Sequence, residues 1–76
     1  MRSTPWHLLT EDGFSKLVHA KRLARQHDRP YMVYLVDHED GRAVRIADYD
    51  YARDPEFQAF DGEVLAIIYP DGEVEV

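Results

Sequence analysis

Seventy-six residues and 8.9 kDa make one small domain, residues 1–76, which buries about 60% of the surface its unfolded chain exposes. A composition that is 45% apolar and 32% charged is that of a folded chain, and the absence of cysteine excludes disulfides, thiolate zinc sites, iron–sulfur clusters and a thiol nucleophile. The net charge of −6 is unevenly spread, at −1 over residues 1–15, +4 over 16–29 and −9 over 30–76, which disfavours generic binding to nucleic-acid backbones.

The first predicted element is a helix from about Glu11 to Asp28. Thr10 is its N-cap, and Glu11 and Asp12 place negative charge where the helix dipole favours it. Leu9 at N′ and Phe14 at N4 have the spacing of a hydrophobic staple. Pro30 stops the helix and pushes Arg29 toward extended geometry. Leu17, Ala20, Leu23, Ala24 and His27 fall on one side, as a core stripe whose alanines allow close approach to a sheet. Lys21, Arg22, Arg25 and Arg29 fall on another side, with Phe14 and Val18 toward it. Ahead of the helix, Pro5 to Leu9 is a candidate short extended segment.

Tyr31 to His38 reads as the first strand and Arg42 to Tyr49 as the second, joined by Asp40-Gly41, a strong hairpin signal. A two-residue turn there pairs Leu35 with Ile46 and Asp37 with Val44. Val33, Leu35, Val44 and Ile46 then share the face under the helix, and Met32, Tyr34, Val36, Arg45, Ala47 and Tyr49 the opposite one. Residues 50–62 form a charged connection with a short helix, capped by Asp54, with Pro55 at N1 and with Phe57 and Phe60 on one side. The third strand is Glu63 to Tyr69; Asp71-Gly72 predicts a second tight turn and Glu73 to Val76 the fourth strand. That pairing places Leu65, Ile67, Tyr69, Val74 and Val76 on one face, with Glu73 and Glu75 on the other as charges against edge-to-edge aggregation.

The expected fold is therefore α+β: one N-terminal amphipathic helix on an antiparallel sheet of two β-hairpins, in the order α-β-β-(short helix)-β-β. The expected core is Leu17, Ala20, Leu23, Ala24, Val33, Leu35, Val44, Ile46, Leu65 and Ile67. No apolar run exceeds six residues, against the roughly 20 of a membrane helix, so no membrane association is expected. Residues 1–7 lack the apolar stretch of a signal peptide, and a secreted domain this small relies on disulfide or metal staples; both point to the cytoplasm.

Several chemistries fail on spacing. A calcium loop starting at Asp48 needs an oxygen ligand at 52, Gly at 53 and Glu at 59, where the chain has Ala52, Arg53 and Ala59. His7, His19, His27 and His38 include no i, i+4 pair, and neighbours in Asp37-His38-Glu39-Asp40 point to opposite faces of a strand. Ser3, Ser15, Thr4 and Thr10 have no nucleophile-elbow context, and the glycines 13, 41, 62 and 72 are single, so no phosphate-cradling loop is present. Carboxylates are plentiful, but nothing singles out a catalytic pair. The expectation is a non-enzymatic protein without metal or organic cofactor.

What remains is binding. The Met32, Tyr34, Arg45 and Tyr49 set on the outer sheet face suits a protein interface, where Tyr, Met and Arg are enriched. If Phe57 and Phe60 fold over that face, it is core instead. The preferred reading is a small acidic protein-binding module of unidentified partner. The alternative is an acidic mimic of nucleic acid, with Asp48, Asp50, Asp54, Glu56, Asp61 and Glu63 entering a partner's basic groove. In size and charge alone the chain is similar to inhibitors of that kind from phage and mobile elements. The third reading is single-stranded nucleic-acid binding, by stacking on Tyr34 and Tyr49 with Arg22, Arg25 and Arg29 on the phosphates.

Overall fold

The computed structural model describes residues 11–39 and 41–76. Helix α1 (Glu11–His27) is followed by strands β1 (Tyr31–His38) and β2 (Gly41–Asp48), a 3-10 helix (Tyr49–Arg53), the short helix α2 (Pro55–Ala59), and strands β3 (Glu63–Ile68) and β4 (Val74–Glu75). The strands form one antiparallel sheet in the order β2-β1-β3-β4. This is the expected α+β layout. The Thr10 cap, the Leu9 staple and the Pro5–Leu9 segment fall outside the described residues.

Both helices stop on the same device. Asp28 and Asp61 adopt left-handed backbone, each with φ of 52°. The Arg29 N–H donates to the Ala24 carbonyl at 3.2 Å, and the Gly62 N–H to the Phe57 carbonyl at 2.9 Å. These six-to-one bonds close Schellman motifs with aspartate where glycine is the usual choice. Helix α1 thus ends one residue before Asp28, through its own cap rather than through Pro30 alone. Asp54 caps α2 as its sequence signature predicts, with its carboxylate accepting from the Glu56 N–H at 2.9 Å and Pro55 next in line.

Both hairpin registers differ from expectation. In the first, His38 pairs with Gly41 and Leu35 with Val44, two residues from the predicted pairing. Gly41 has φ of 121° and belongs to β2, so it does not serve as a turn centre. A shift of two leaves every side chain on its face, so Val33, Leu35, Val44 and Ile46 still pack under α1. In the second, Tyr69 donates its N–H to the Glu73 carbonyl and Gly72 to the Tyr69 carbonyl, both at 2.9 Å. This is a three-residue connection, Pro70-Asp71-Gly72, with Gly72 at φ of 94°.

One residue of slip exchanges faces. Ile68 pairs with Val74 and is fully buried, while Ile67 pairs with Glu75 on the far face and is half-buried. The placement of Ile67 and Tyr69 on the helix side is therefore corrected; the Tyr69 hydroxyl donates to the Glu75 carboxylate at 3.3 Å. Leu65 keeps its expected side because β3 is bulged. Val33 pairs with Ala66 and Tyr34 with Val64, leaving Leu65 as the extra residue, and Leu65 and Ala66 both join the core under α1.

The sheet is covered on both sides. Ala20, Ala24, Val33, Leu35, Leu65, Ala66 and Ile68 form the core under α1, with Leu17, Val44, Ile46 and Val76 against it; Leu23 is half-buried. Beyond the sheet, Met32, Tyr34 and Val36 are buried with Phe57 of α2. Central strand β1 is buried on both faces, which is why Tyr31 to Val36 reads as an unbroken apolar run.

Candidate functional site

The outer sheet face does not stay open. The chain after β2 turns back through the 3-10 helix and α2, and lays Phe57 onto Tyr34. The Tyr34 and Phe57 rings meet edge-on with centroids 5.6 Å apart; Tyr51 sits 5.6 Å from Tyr34 and 5.9 Å from Phe57. Met32 is fully buried and Tyr34 is 7% exposed. Burial pushes the Tyr34 hydroxyl above its ordinary range, against the opposing pull of Arg45. Of the predicted set, Arg45 stays exposed and Tyr49 half-buried. Arg45 borders a hollow of about 220 Å³ with Tyr34, Tyr51, Glu56 and Phe60. Met32 and Tyr34 are therefore core, and the set Met32, Tyr34, Arg45 and Tyr49 does not form a continuous surface.

The acidic set divides by task. One Asp48 oxygen accepts from the Asp50 N–H at 2.9 Å and the other from the Arg29 guanidinium at 2.8 Å. The backbone bond and then the guanidinium hold the Asp48 carboxyl below its ordinary range. Asp54 caps α2 and Asp61 forms the left-handed residue of its C-cap. Asp50, Glu56, Asp61 and Glu63 are exposed and make no ion pair among the described residues. They lie on and beside the connection that covers the far side of the sheet.

The basic set also divides. Arg29 is tied to Asp48, and the same pairing raises the affinity of its guanidinium for its proton. Lys21, Arg22 and Arg25 make no ion pair among the described residues. With Pro70, Asp71 and Gly72 of the β3–β4 turn they line a hollow of about 400 Å³. Tyr34 and Tyr49 lie across the sheet from these cations, so the stacking residues and the phosphate-gripping residues of the nucleic-acid reading do not come together.

A further surface lies on the outer flank of α1. Phe14 is 62% exposed and Val18 36% exposed, the most accessible large apolar side chains of α1. At 3.6 residues per turn, Phe14, Val18, Lys21 and Arg25 fall within about 60° of one another, with Arg22 alongside. The signal was an i, i+4 apolar pair lying outside the core stripe, on the basic flank.

Among the described residues no helix is long and apolar enough to cross a membrane. No protein-family model matches the chain, and neither a curated protein nor a solved structure matches it.

Proposed function

We propose that the protein is a non-enzymatic, cytoplasmic protein-binding module whose contact surface is the outer flank of α1. The observation that carries this reading is Phe14 standing 62% exposed on the same flank as three cations, Lys21, Arg22 and Arg25, that make no ion pair among the described residues. An aromatic anchor flanked by arginines is the composition of an interface centre. Those cations also belong to a chain with net charge −6, so the flank attracts an acidic partner that the rest of the molecule repels. The matching partner presents an apolar pocket for Phe14 rimmed by carboxylates.

A second reading, acidic mimicry, is favoured by a different observation. Asp50, Glu56 and Asp61 on the connection that covers the far side of the sheet, and Glu63 just after it, stay exposed and make no ion pair among the described residues. The two readings use different residues and separate by mutation. The test is capture of partners from nuclease-treated host lysate by the wild type, by Phe14→Ser, by Arg22→Glu with Arg25→Glu, and by a variant with the four acids changed to amides. The α1 reading expects one protein retained by the wild type and the amide variant but lost by both α1 variants. Loss on amidation alone, with strong salt sensitivity, moves the function to the acidic side. Capture of nucleic acid without protein refutes both.

A further inference from the structure

The two edges of the sheet are built differently. Edge β4 is two residues long, Val74–Glu75, with Glu73 immediately before it. Edge β2 is eight residues long, contains no proline, and pairs with β1 in unbroken register from Gly41 to Asp48. Short strands, bulges and prolines are among the protections of an edge and β2 has none of them; its protection is limited to the charges of Arg42, Arg45 and Asp48.

The free backbone groups of β2 follow from the register. The Tyr49 N–H donates to the Pro30 carbonyl at 3.1 Å, which makes that pair hydrogen-bonded. Stepping by two, Ala47, Arg45, Ala43 and Gly41 turn their N–H and C=O groups toward β1. Arg42, Val44, Ile46 and Asp48 turn theirs outward, where no backbone partner meets them among the described residues. The Val44 and Ile46 side chains pack against the core under α1 but remain only half-buried.

We propose that β2 pairs antiparallel with β2 of a second copy of this chain, with the two-fold axis at Val44. A two-fold contact is self-complementary, so each outward N–H and C=O finds its counterpart. Arg45 argues against a register centred on itself. Centring on Arg45 sets Arg45 against its own copy at the closest approach in the ladder, and like charges directly opposite are destabilising. Centring on Val44 sets Val44 against Val44, Arg45 against Ala43 and Arg42 against Ile46, so no like charges of the two β2 strands stand directly opposite. Both α1 helices then lie on the same side of a continuous eight-stranded sheet, and Val44 and Ile46 gain the cover they lack. This pairing is independent of the α1 contact surface.

Sedimentation equilibrium of the full chain from micromolar to millimolar concentration tests the pairing. The expected result is a monomer–dimer equilibrium that Val44→Pro weakens at least about a hundredfold, because proline removes an outward N–H and no bond to β1. A wild type monomeric throughout overturns the proposal, as does a folded Val44→Pro variant that still dimerises. Should Val44→Pro fail to fold, the variant carrying Ala43→Cys and Arg45→Cys decides. Those positions face each other across the dimer at about 4.5 Å between Cα atoms, within disulfide range. A covalent dimer on mild oxidation supports the register, and a chain that stays monomeric overturns it.

Discussion

Replacing Gly62 with alanine tests how tightly the far side of the sheet is closed. A Cβ built there lies 2.5 Å from Phe57 Cδ2 and 2.6 Å from Phe57 Cζ, with Cε2 closer still. Contacts below 3 Å do not persist, so the ring must move. Phe57 is 4% exposed and packed edge-on against Tyr34 and Tyr51, so moving its ring disturbs both contacts. Overpacking of this kind costs about 1–3 kcal/mol, and the disturbed aromatic pairs are each worth about 0.5–1.5 kcal/mol. A loss of about 2–3 kcal/mol is expected for Gly62→Ala, against a total of about 4–11 kcal/mol for a chain of this length. Urea denaturation followed by far-UV circular dichroism measures it. The cause is isolated by a double-mutant cycle: in a Phe57→Ala background the ring is gone and Gly62→Ala costs under about 0.5 kcal/mol. An equal cost in both backgrounds means that the glycine is needed for its backbone and not for the ring, and refutes the packing argument.

Four further outcomes follow from the same geometry. Ile68→Ala and Leu35→Ala remove buried methyl groups and cost about 2–5 kcal/mol, whereas Ile67→Ala on the far face costs under about 2 kcal/mol; a reversed order in denaturation midpoints returns β3 to the register read from sequence. Asp28→Gly and Asp61→Gly relieve left-handed aspartates and each raise stability by about 0.5–1 kcal/mol, and destabilisation at both sites contradicts the Schellman assignment. Asp48 is held below its ordinary range when folded, so its stabilising contribution is complete above the unfolded value near pH 4 and is lost as pH falls through the folded value. Asp48→Asn is therefore less stable than wild type at neutral pH but loses less on acidification, and parallel acid limbs would show that the Asp50 N–H and Arg29 contacts carry nothing. Chelator is expected to leave the melting temperature unchanged, while a rise on adding zinc or calcium that chelator reverses would revive a metal site.

Local chemistry explains what was legible in the sequence. The 3.6-residue stripe of α1, the Asp54-Pro55 start of α2 and the two apolar six-residue runs each act over a few residues, so each could be read without knowing the rest of the chain. The faces of the first hairpin were legible as well, because an error of two residues in pairing preserves side-chain direction. The second hairpin was not, because an Asp-Gly pair closes a two-residue or a three-residue loop equally well, and one residue of difference exchanges Ile67 for Ile68.

The candidate surfaces depended on contacts between distant parts of the chain. Whether Tyr34 meets a partner or the core is decided by Phe57, twenty-three residues later, and no pattern around Tyr34 carries that information. Arg29 and Asp48 are each one of several like charges in sequence, and only the packed sheet joins them, while Lys21, Arg22 and Arg25 make no ion pair among the described residues. Composition and periodicity thus determined a helix, two hairpins and an acidic body. The tertiary structure decided which aromatic side chains reach water, because burial belongs to the meeting of two segments and is encoded in neither alone.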